Sequence, residues 1–181
     1  AARSEAWIVE DDYVSESRYE GRPLEALQAL DRDGRVIYIG SFSKTLFPAL
    51  RLAYLVLPPA LVPAFLEAKW AADRFSPMLA QQALADFIAD GQFERYLRRA
   101  GSRNAARRRT LIAALQQHLG DRVEIAGENT GVHLVVWLNG MRPAELATLI
   151  ERAAAAGVGL YSVAPCYREP QRRAGLLFGY A

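Results

Sequence analysis

The sequence predicts an α/β protein that continues into a smaller α+β region, on three observations. Short apolar runs of strand length recur along the chain and end at polar residues or prolines. Between them, apolar residues recur at helical spacing, most clearly between residues 92 and 119. The composition, 51% hydrophobic and 23% charged with a net charge of +2, is that of a globular body.

Three apolar runs predict the strands of the N-terminal part. They are Trp7-Ile8-Val9, Val36-Ile37-Tyr38-Ile39 and the segment 52–57, which Pro58-Pro59 closes. Each run is short enough for a strand and is bounded by turn-forming or charged residues. We therefore expect a sheet whose strand ends carry polar side chains, where open α/β sheets bind ligands.

Helical spacing then dominates up to residue 119. One helix is predicted from about residue 59 to 74 and a second from about residue 76 to 90, which Ser76-Pro77 opens and Gly91 ends. One long amphipathic helix is expected over 92–119, with an interruption at Gly101-Ser102 as an open alternative. This change of organisation near residue 95 divides the chain into residues 1–95 and residues 96–181.

The C-terminal part alternates strands with one helix, which predicts a small α+β lobe. Its strands are expected at 123–125, 132–138, 158–161 and 176–179, and its helix at 142–156, opening at Pro143. The segment 163–173, rich in proline and arginine, is expected to be a surface loop.

Lys44 is the residue that most needs a chemical explanation. It is one of two lysines in a chain with twenty arginines, and it follows the second apolar run in Ser41-Phe42-Ser43-Lys44. An arginine cannot replace a lysine where a neutral amine must attack a carbonyl, because guanidinium stays protonated. A lysine retained here fits imine formation with an aldehyde cofactor, although a solvated loop lysine is the simpler alternative.

The other strand ends supply the groups that pyridoxal phosphate needs. The chain offers Asp11 for the pyridinium nitrogen, Tyr13 for the ring phenolate oxygen, Lys44 for the imine, and Ser41 with Arg51 for the phosphate. Each assignment is weak by itself, but their order and spacing agree. The neighbouring carboxylates of Glu10 and Asp12 could equally serve only to solvate a loop.

These motifs resemble the fold-type I pyridoxal phosphate proteins related to aspartate aminotransferase. They are most similar to the aminotransferase-like domain of MocR-type transcription regulators, a branch of the GntR superfamily. The resemblance is carried by residues 8–13, 18–24, 41–52, 131–134 and 176–181. It also places the pyridine carboxylate two residues before the tyrosine, which favours Asp11 over its neighbours.

The resemblance implies a fold and a function. It implies the second part of a fold-type I aminotransferase large domain, within residues 1–95, and a small α+β C-terminal domain, within residues 96–181. It implies a cytoplasmic, homodimeric regulator that holds pyridoxal 5'-phosphate as a Schiff base on Lys44 and senses an amine, an amino acid or a vitamin B6 compound. Its DNA-binding winged helix-turn-helix would precede this chain.

One departure concerns the end of the chain. Aminotransferases place an arginine that clamps the substrate carboxylate shortly before the Gly-aromatic pair, and that position falls on Leu177 here. A leucine cannot pair with a carboxylate, so little or no turnover of ordinary α-amino acids is expected unless Arg172 or Arg173 replaces the clamp.

Two other functions stay open. The chain could be a fragment of a class I/II aminotransferase acting on an amino acid, in which Lys44 also moves a proton at the substrate α-carbon. Alternatively, it could fold and self-associate without any cofactor, since a partial sheet exposes apolar edges.

Several other functions are disfavoured by composition. No segment approaches the roughly eighteen apolar residues of a membrane span, and the single cysteine, Cys166, cannot form an intrachain disulfide. With only His118 and His133, no metal site is expected. Within the arginine-rich segment 98–109, positions 99, 103 and 107 would form one stripe on a helix. This stripe is expected to be a solvated face, with nucleic-acid contact as a minor possibility.

Overall fold

The computed structural model describes residues 4–12, 18–19, 25–127 and 129–181. These residues divide into two compact units, one within Ala1–Glu16 and Gly21–Arg99 and the other within Ser17–Glu20 and Ala100–Ala181. The predicted α/β fold class is confirmed. The domain boundary predicted at residues 95 and 96 stays a prediction.

The N-terminal unit contains a three-stranded mixed sheet, and all three predicted strands are confirmed. Strand β1 is Ile8–Asp12, β2 is Val36–Ser41 and β3 is Ala53–Val56. Their order is β1-β2-β3, with β1 parallel to β2 and β3 antiparallel to β2. Because β3 is antiparallel to β2, its first residue lies at the same end of the sheet as the last residues of β1 and β2.

Helices of this unit follow the predicted spacing. A short helix α1, Leu27–Leu30, precedes β2, and a four-residue helix α2, Phe42–Thr45, follows it. Helix α3 is Val62–Asp73, after a 3-10 turn at Pro59–Leu61, and α4 is Met78–Ala89. The two helices expected from about 59 to 74 and from about 76 to 90 are therefore confirmed to within three residues.

Helix α5, Gln92–Leu119, is continuous for 28 residues. The single long helix is confirmed, and the interruption considered at Gly101-Ser102 does not occur. A helical glycine costs about 1 kcal/mol relative to alanine, and the surrounding alanines, arginines and leucines favour the helix enough to offset it.

The C-terminal unit contains a four-stranded antiparallel sheet. Its strands are β4 at Val123–Ala126, β5 at His133–Leu138, β6 at Tyr161–Ser162 and β7 at Ala174–Gly179, in the order β4-β5-β7-β6. Helix α6 is Pro143–Ala155. One core cluster contains Leu115, Leu134, Val136 and Tyr180, and another contains Leu146, Ala174 and Leu176.

The strand expected at 158–161 is largely wrong, since only Tyr161 of that range pairs with β7. The residues after α6 form the C-terminal cap of that helix instead. Gly157 has a left-handed φ of 78°, and the Val158 amide donates to the Ala153 carbonyl at 2.8 Å. The expected loop 163–173 contains one 3-10 turn, Ala164–Cys166.

The described residues contain neither a candidate membrane span nor a candidate metal site. No helix there is both long and apolar enough to cross a bilayer. Nor do three or more histidine, cysteine or acidic side chains gather there in a way that could hold a metal ion.

Candidate functional site

The strand register brings the candidate residues of the N-terminal unit to the end of the sheet at which β1 and β2 terminate, which we call the sheet edge. Asp11 pairs with Ile39 and Asp12 with Gly40, while Ser41 pairs with Ala53 at the start of β3. Arg51 lies two residues before Ala53. The ends of β1 and β2 and the beginning of β3 therefore present a carboxylate, a hydroxyl and a guanidinium along a single edge.

The sheet distinguishes Asp11 from the two acidic residues beside it. The Glu10 carboxylate accepts the Leu27 and Gln28 amides at 2.8 and 3.0 Å, which caps α1. Asp12 accepts the Tyr38 hydroxyl at 2.9 Å. Within the described ranges Asp11 makes neither a hydrogen bond nor an ion pair, and its side chain is exposed. Asp11 is thus the acid that is available to a ligand.

Alternation along the strands explains this difference. Paired residues share a face of the sheet, and successive residues point to opposite faces. Asp12 therefore lies on the face of Gly40 and Tyr38, whereas Asp11 lies on the face of Ile39 and Ser41. On the Asp12 face, burial and the hydrogen bond to Asp12 raise the pKa of Tyr38 above its usual range. The phenol therefore stays protonated and acts as the hydrogen-bond donor to Asp12.

Lys44 lies in the last turn of α2, directly after β2. Ser41 is the N-cap of this helix, and its Oγ accepts the Ser43 amide at 3.2 Å. The Lys44 side chain is exposed and has no hydrogen-bonding or ionic partner in the part of the chain that the structure describes. By contrast, Lys69 Nζ contacts the Asp73 carboxylate at 2.9 Å and Ser76 Oγ at 2.7 Å. Of the two lysine side chains, both of which the structure describes, Lys44 is therefore the one with an unengaged amine.

Arg51 is held in an unusual backbone conformation. Its φ of 52° and ψ of 32° lie in the left-handed region, where residues other than glycine, asparagine and aspartate are uncommon. The amide of Phe42 donates to the Leu52 carbonyl at 3.1 Å, which ties the residue after Arg51 to the start of α2. Arg51 is exposed and unpaired among the described residues.

Tyr13, the predicted donor to the ring phenolate oxygen, lies outside the described residues. Its role stays a prediction.

Aromatic side chains that sequence reasoning missed surround the lysine-bearing turn. The ring of Phe42 lies 5.4 Å from that of Tyr54 and 5.8 Å from that of Phe93. Tyr96 Oη donates to the Leu46 carbonyl at 3.2 Å. The contacts of Phe93 and Tyr96 join residues about 50 positions apart, so no local sequence signal could have indicated them.

In the C-terminal unit, Leu177 lies in β7 between Val135 and Tyr161. Arg173, one candidate for a substitute carboxylate clamp, is already engaged. Its guanidinium contacts the Glu124 carboxylate at 2.6 Å and stacks over the Trp137 ring at 5.0 Å. The salt bridge to Arg173 lowers the pKa of Glu124.

The arginine-rich segment of α5 is not uniformly solvated. Arg108 is buried, with its guanidinium 5.3 Å from the centre of the Tyr19 ring. Tyr19 and Tyr180 both donate to the Gly131 carbonyl, at 3.0 and 2.8 Å. Arg108 is therefore part of the core beside these phenols, whereas Arg99, Arg103 and Arg107 are exposed, as expected of the solvated stripe.

The donor set at the sheet edge fits pyridoxal phosphate in its chemistry. An unengaged carboxylate can pair with a pyridinium nitrogen, an unengaged primary amine can bond an aldehyde, and a hydroxyl with a guanidinium can hold a phosphate. Asp11, Lys44, Ser41 and Arg51 supply one of each.

Comparison with curated proteins finds relatives among transcription regulators. The chain is 39% identical over 180 residues to the uncharacterized HTH-type transcriptional regulator YhdI of Bacillus subtilis, covering 99% of the chain and 38% of that protein. It is 40% identical over 179 residues to the probable rhizopine catabolism regulatory protein MocR of Rhizobium meliloti, covering 99% of the chain and 36% of that protein. The chain thus spans less than two fifths of either relative. A scan against models of protein families finds no match.

Comparison with solved structures finds aminotransferases. Kynurenine aminotransferase of Pyrococcus horikoshii, in complex with PMP, superposes with a TM-score of 0.83 at 28% identity, over 100% of this chain and 45% of that one. LysN of Thermus thermophilus, complexed with N-(5'-phosphopyridoxyl)-L-leucine, has a TM-score of 0.83 at 27% identity, over 99% of this chain and 46% of that one.

Proposed function

Because the chain belongs to the MocR-type regulators of the GntR superfamily, as part of their aminotransferase-like domain, we propose that it senses an effector through pyridoxal 5'-phosphate attached at Lys44. The observation that carries the proposal is the shared sheet edge of Asp11, Ser41, Lys44 and Arg51. Asp11, Lys44 and Arg51 have no other partner among the described residues.

Each residue has a distinct task in this proposal. Asp11 binds the pyridine nitrogen and holds a proton there, and Tyr13 donates to the ring phenolate oxygen. Ser41 and Arg51 bind the phosphate, and Lys44 Nζ is the point of covalent attachment. When bound, the cofactor supplies an aldehyde that exchanges between primary amines, which is why an amine, an amino acid or a vitamin B6 compound is the expected effector.

The regulatory part of the proposal extends beyond this chain. In the intact protein, a winged helix-turn-helix N-terminal to this chain binds DNA, the protein is a homodimer, and it acts in the cytoplasm. The names of the relatives YhdI and MocR support the regulatory role. Sequencing the segment that precedes this chain tests it, since a winged helix-turn-helix is expected there and its absence would contradict the proposal.

An aminotransferase is the second candidate, because solved structures similar to the chain are aminotransferases. Leu177 argues against turnover of ordinary α-amino acids, provided that it occupies the position of the carboxylate clamp. Efficient transamination by the intact protein would favour this candidate over the regulator.

The cofactor site is tested by trapping. The chain is incubated with pyridoxal phosphate and reduced with borohydride, and peptide mapping locates the added mass on Lys44, Lys69 or the N-terminal amine. Selective labelling of Lys44 is expected, because Lys69 is engaged by Asp73 and Ser76. Lys44→Arg should abolish the selective label, whereas Lys69→Arg should leave it intact. Equal labelling of both lysines would contradict a cofactor site at this sheet edge.

A further inference from the structure

We propose that Tyr96 is a positioning residue for Lys44, because its hydroxyl holds the end of the short helix that carries the lysine. The inference rests on the proposed attachment of the cofactor at Lys44 and adds a residue that the sequence motifs do not contain. Tyr96 lies on the first turns of α5, and Lys44 lies in the last turn of α2.

Helix α2 needs external support because it has only four residues. Helices shorter than about 12 residues are marginal by themselves in water. At its start, Ser41 Oγ accepts the Ser43 amide at 3.2 Å, and the Phe42 amide donates to Leu52 at 3.1 Å. These bonds hold the residues before Lys44. After it, within the same short segment, the Thr45 hydroxyl donates only a long hydrogen bond of 3.5 Å to the Ser41 carbonyl.

The end of α2 is held by Tyr96. Leu46, the C-cap of α2, has a φ of −109° and a ψ of −86°, which belong to neither a helix nor a strand. Its amide donates to the Phe42 carbonyl at 2.9 Å, and its own carbonyl accepts the Tyr96 hydroxyl at 3.2 Å. The Tyr96 hydrogen bond therefore fixes the peptide group two residues beyond Lys44.

Phe93, one turn before Tyr96, supports the same helix from its other end. Residues three apart lie on one face of a helix, and the Phe93 ring packs edge-on against Phe42 at 5.8 Å. The Phe87 ring packs against the Phe93 ring, with their centroids 6.5 Å apart. One face of α5 thus contacts α2 both before and after the lysine.

The contacts of Phe93 and Tyr96 with α2 matter for Lys44 because the lysine side chain is exposed. Its side chain has no partner among the described residues, so the α2 backbone alone sets the direction of its Cα–Cβ bond. Without the Tyr96 hydrogen bond, the last turn of α2 opens more often and the amine spends less time in the orientation needed for attack.

The first test needs no cofactor. Hydrogen exchange of the 42–46 backbone is measured by mass spectrometry for the chain, for Tyr96→Phe and for Tyr161→Phe, a control because Tyr161 is 71% exposed. Tyr96→Phe keeps the ring and removes only the hydroxyl. Exchange of the Leu46 amide should accelerate about two- to tenfold in Tyr96→Phe, the factor that a typical hydrogen bond represents, and not in the control. Unchanged exchange would overturn the inference.

The second test measures the label on Lys44 relative to Lys69 in the same borohydride-trapped sample. The ratio should fall by a similar factor in Tyr96→Phe, and also in Phe93→Leu, which removes the aromatic contact but keeps an apolar side chain. General loosening of the unit would change both lysines and leave the ratio constant, and a constant ratio would overturn the inference. If the unmodified chain already labels both lysines equally, the proposed function itself is contradicted.

Discussion

Individual side chains at the sheet edge show how neighbouring residues of one type acquire different roles. Glu10, Asp11 and Asp12 are consecutive carboxylates, yet Glu10 caps α1 and Asp12 binds Tyr38. Only Asp11 is left without a partner among the described residues. The alternation of side chains along β1 produces this separation, since it assigns Asp11 and Asp12 to opposite faces.

Gly40 is a second residue whose identity the sheet requires. A Cβ at this position would overlap the ring and hydroxyl of Tyr54, its partner on β3. We expect Gly40→Ala to lower the free energy of unfolding of the N-terminal unit by about 1 to 3 kcal/mol, as overpacking usually does. Urea unfolding measures this cost.

The double variant provides the control for Gly40→Ala. Tyr54→Ala removes the atoms that a new Cβ would meet, so Gly40→Ala should cost much less in that background. An equal cost in both backgrounds would show that the overlap with Tyr54 is not the cause.

Helix α5 contains a glycine, Gly101, a residue of low helix propensity, and is nevertheless continuous. Gly101 has no heavy atom within 4 Å of where its Cβ would be, so an alanine would meet nothing. The glycine here contributes only the entropic cost of ordering a flexible backbone.

Gly101→Ala should therefore raise the free energy of unfolding by about 0.5 to 1 kcal/mol. Gly157→Ala is the matched control, because Gly157 has a left-handed φ of 78° and the same substitution there should destabilise. Thermal and urea unfolding of both variants report the two signs. A destabilising effect of Gly101→Ala would mean that the helix needs flexibility at this point.

Across the whole chain, apolar burial is unevenly distributed between the two units. Of the buried apolar side chains in the described ranges, only Val36, Ile37 and Leu52 belong to the N-terminal unit. That unit instead exposes large apolar residues on α3, α4 and the segment joining them, among them Leu66, Phe75 and Leu79 at 64%, 71% and 85%. Self-association of the chain through such surfaces stays a prediction.

This imbalance predicts that the two units differ in stability. Backbone amides of β5 and β7, which lie in the buried core, should exchange with solvent more slowly than those of β1 and β3. In urea the N-terminal unit should unfold at the lower concentration, giving two transitions. Hydrogen exchange followed by mass spectrometry resolves the segments, and one common exchange rate for both sheets would contradict the prediction.

Local patterns in the sequence were sufficient to predict most of the elements and to single out the residues of the candidate site. Apolar runs located β1 and β2, helical spacing located α3 to α6, and the scarcity of lysine singled out Lys44. These features depend on near neighbours in the chain, so their physical cause is visible in a short window. The misplaced strand at 158–161 and the open question of an interruption in α5 arose where local signals were weak or contradictory.

Contacts between distant residues could be decided only by the tertiary structure. The antiparallel direction of β3 brings Arg51 to the edge that holds Asp11 and Ser41, and α5 brings Tyr96 to Leu46. Burial of Arg108 beside Tyr19 is of the same kind. Such contacts depend on strand order, direction and packing, which no local pattern encodes, whereas the chemistry of each side chain is a property of the residue itself.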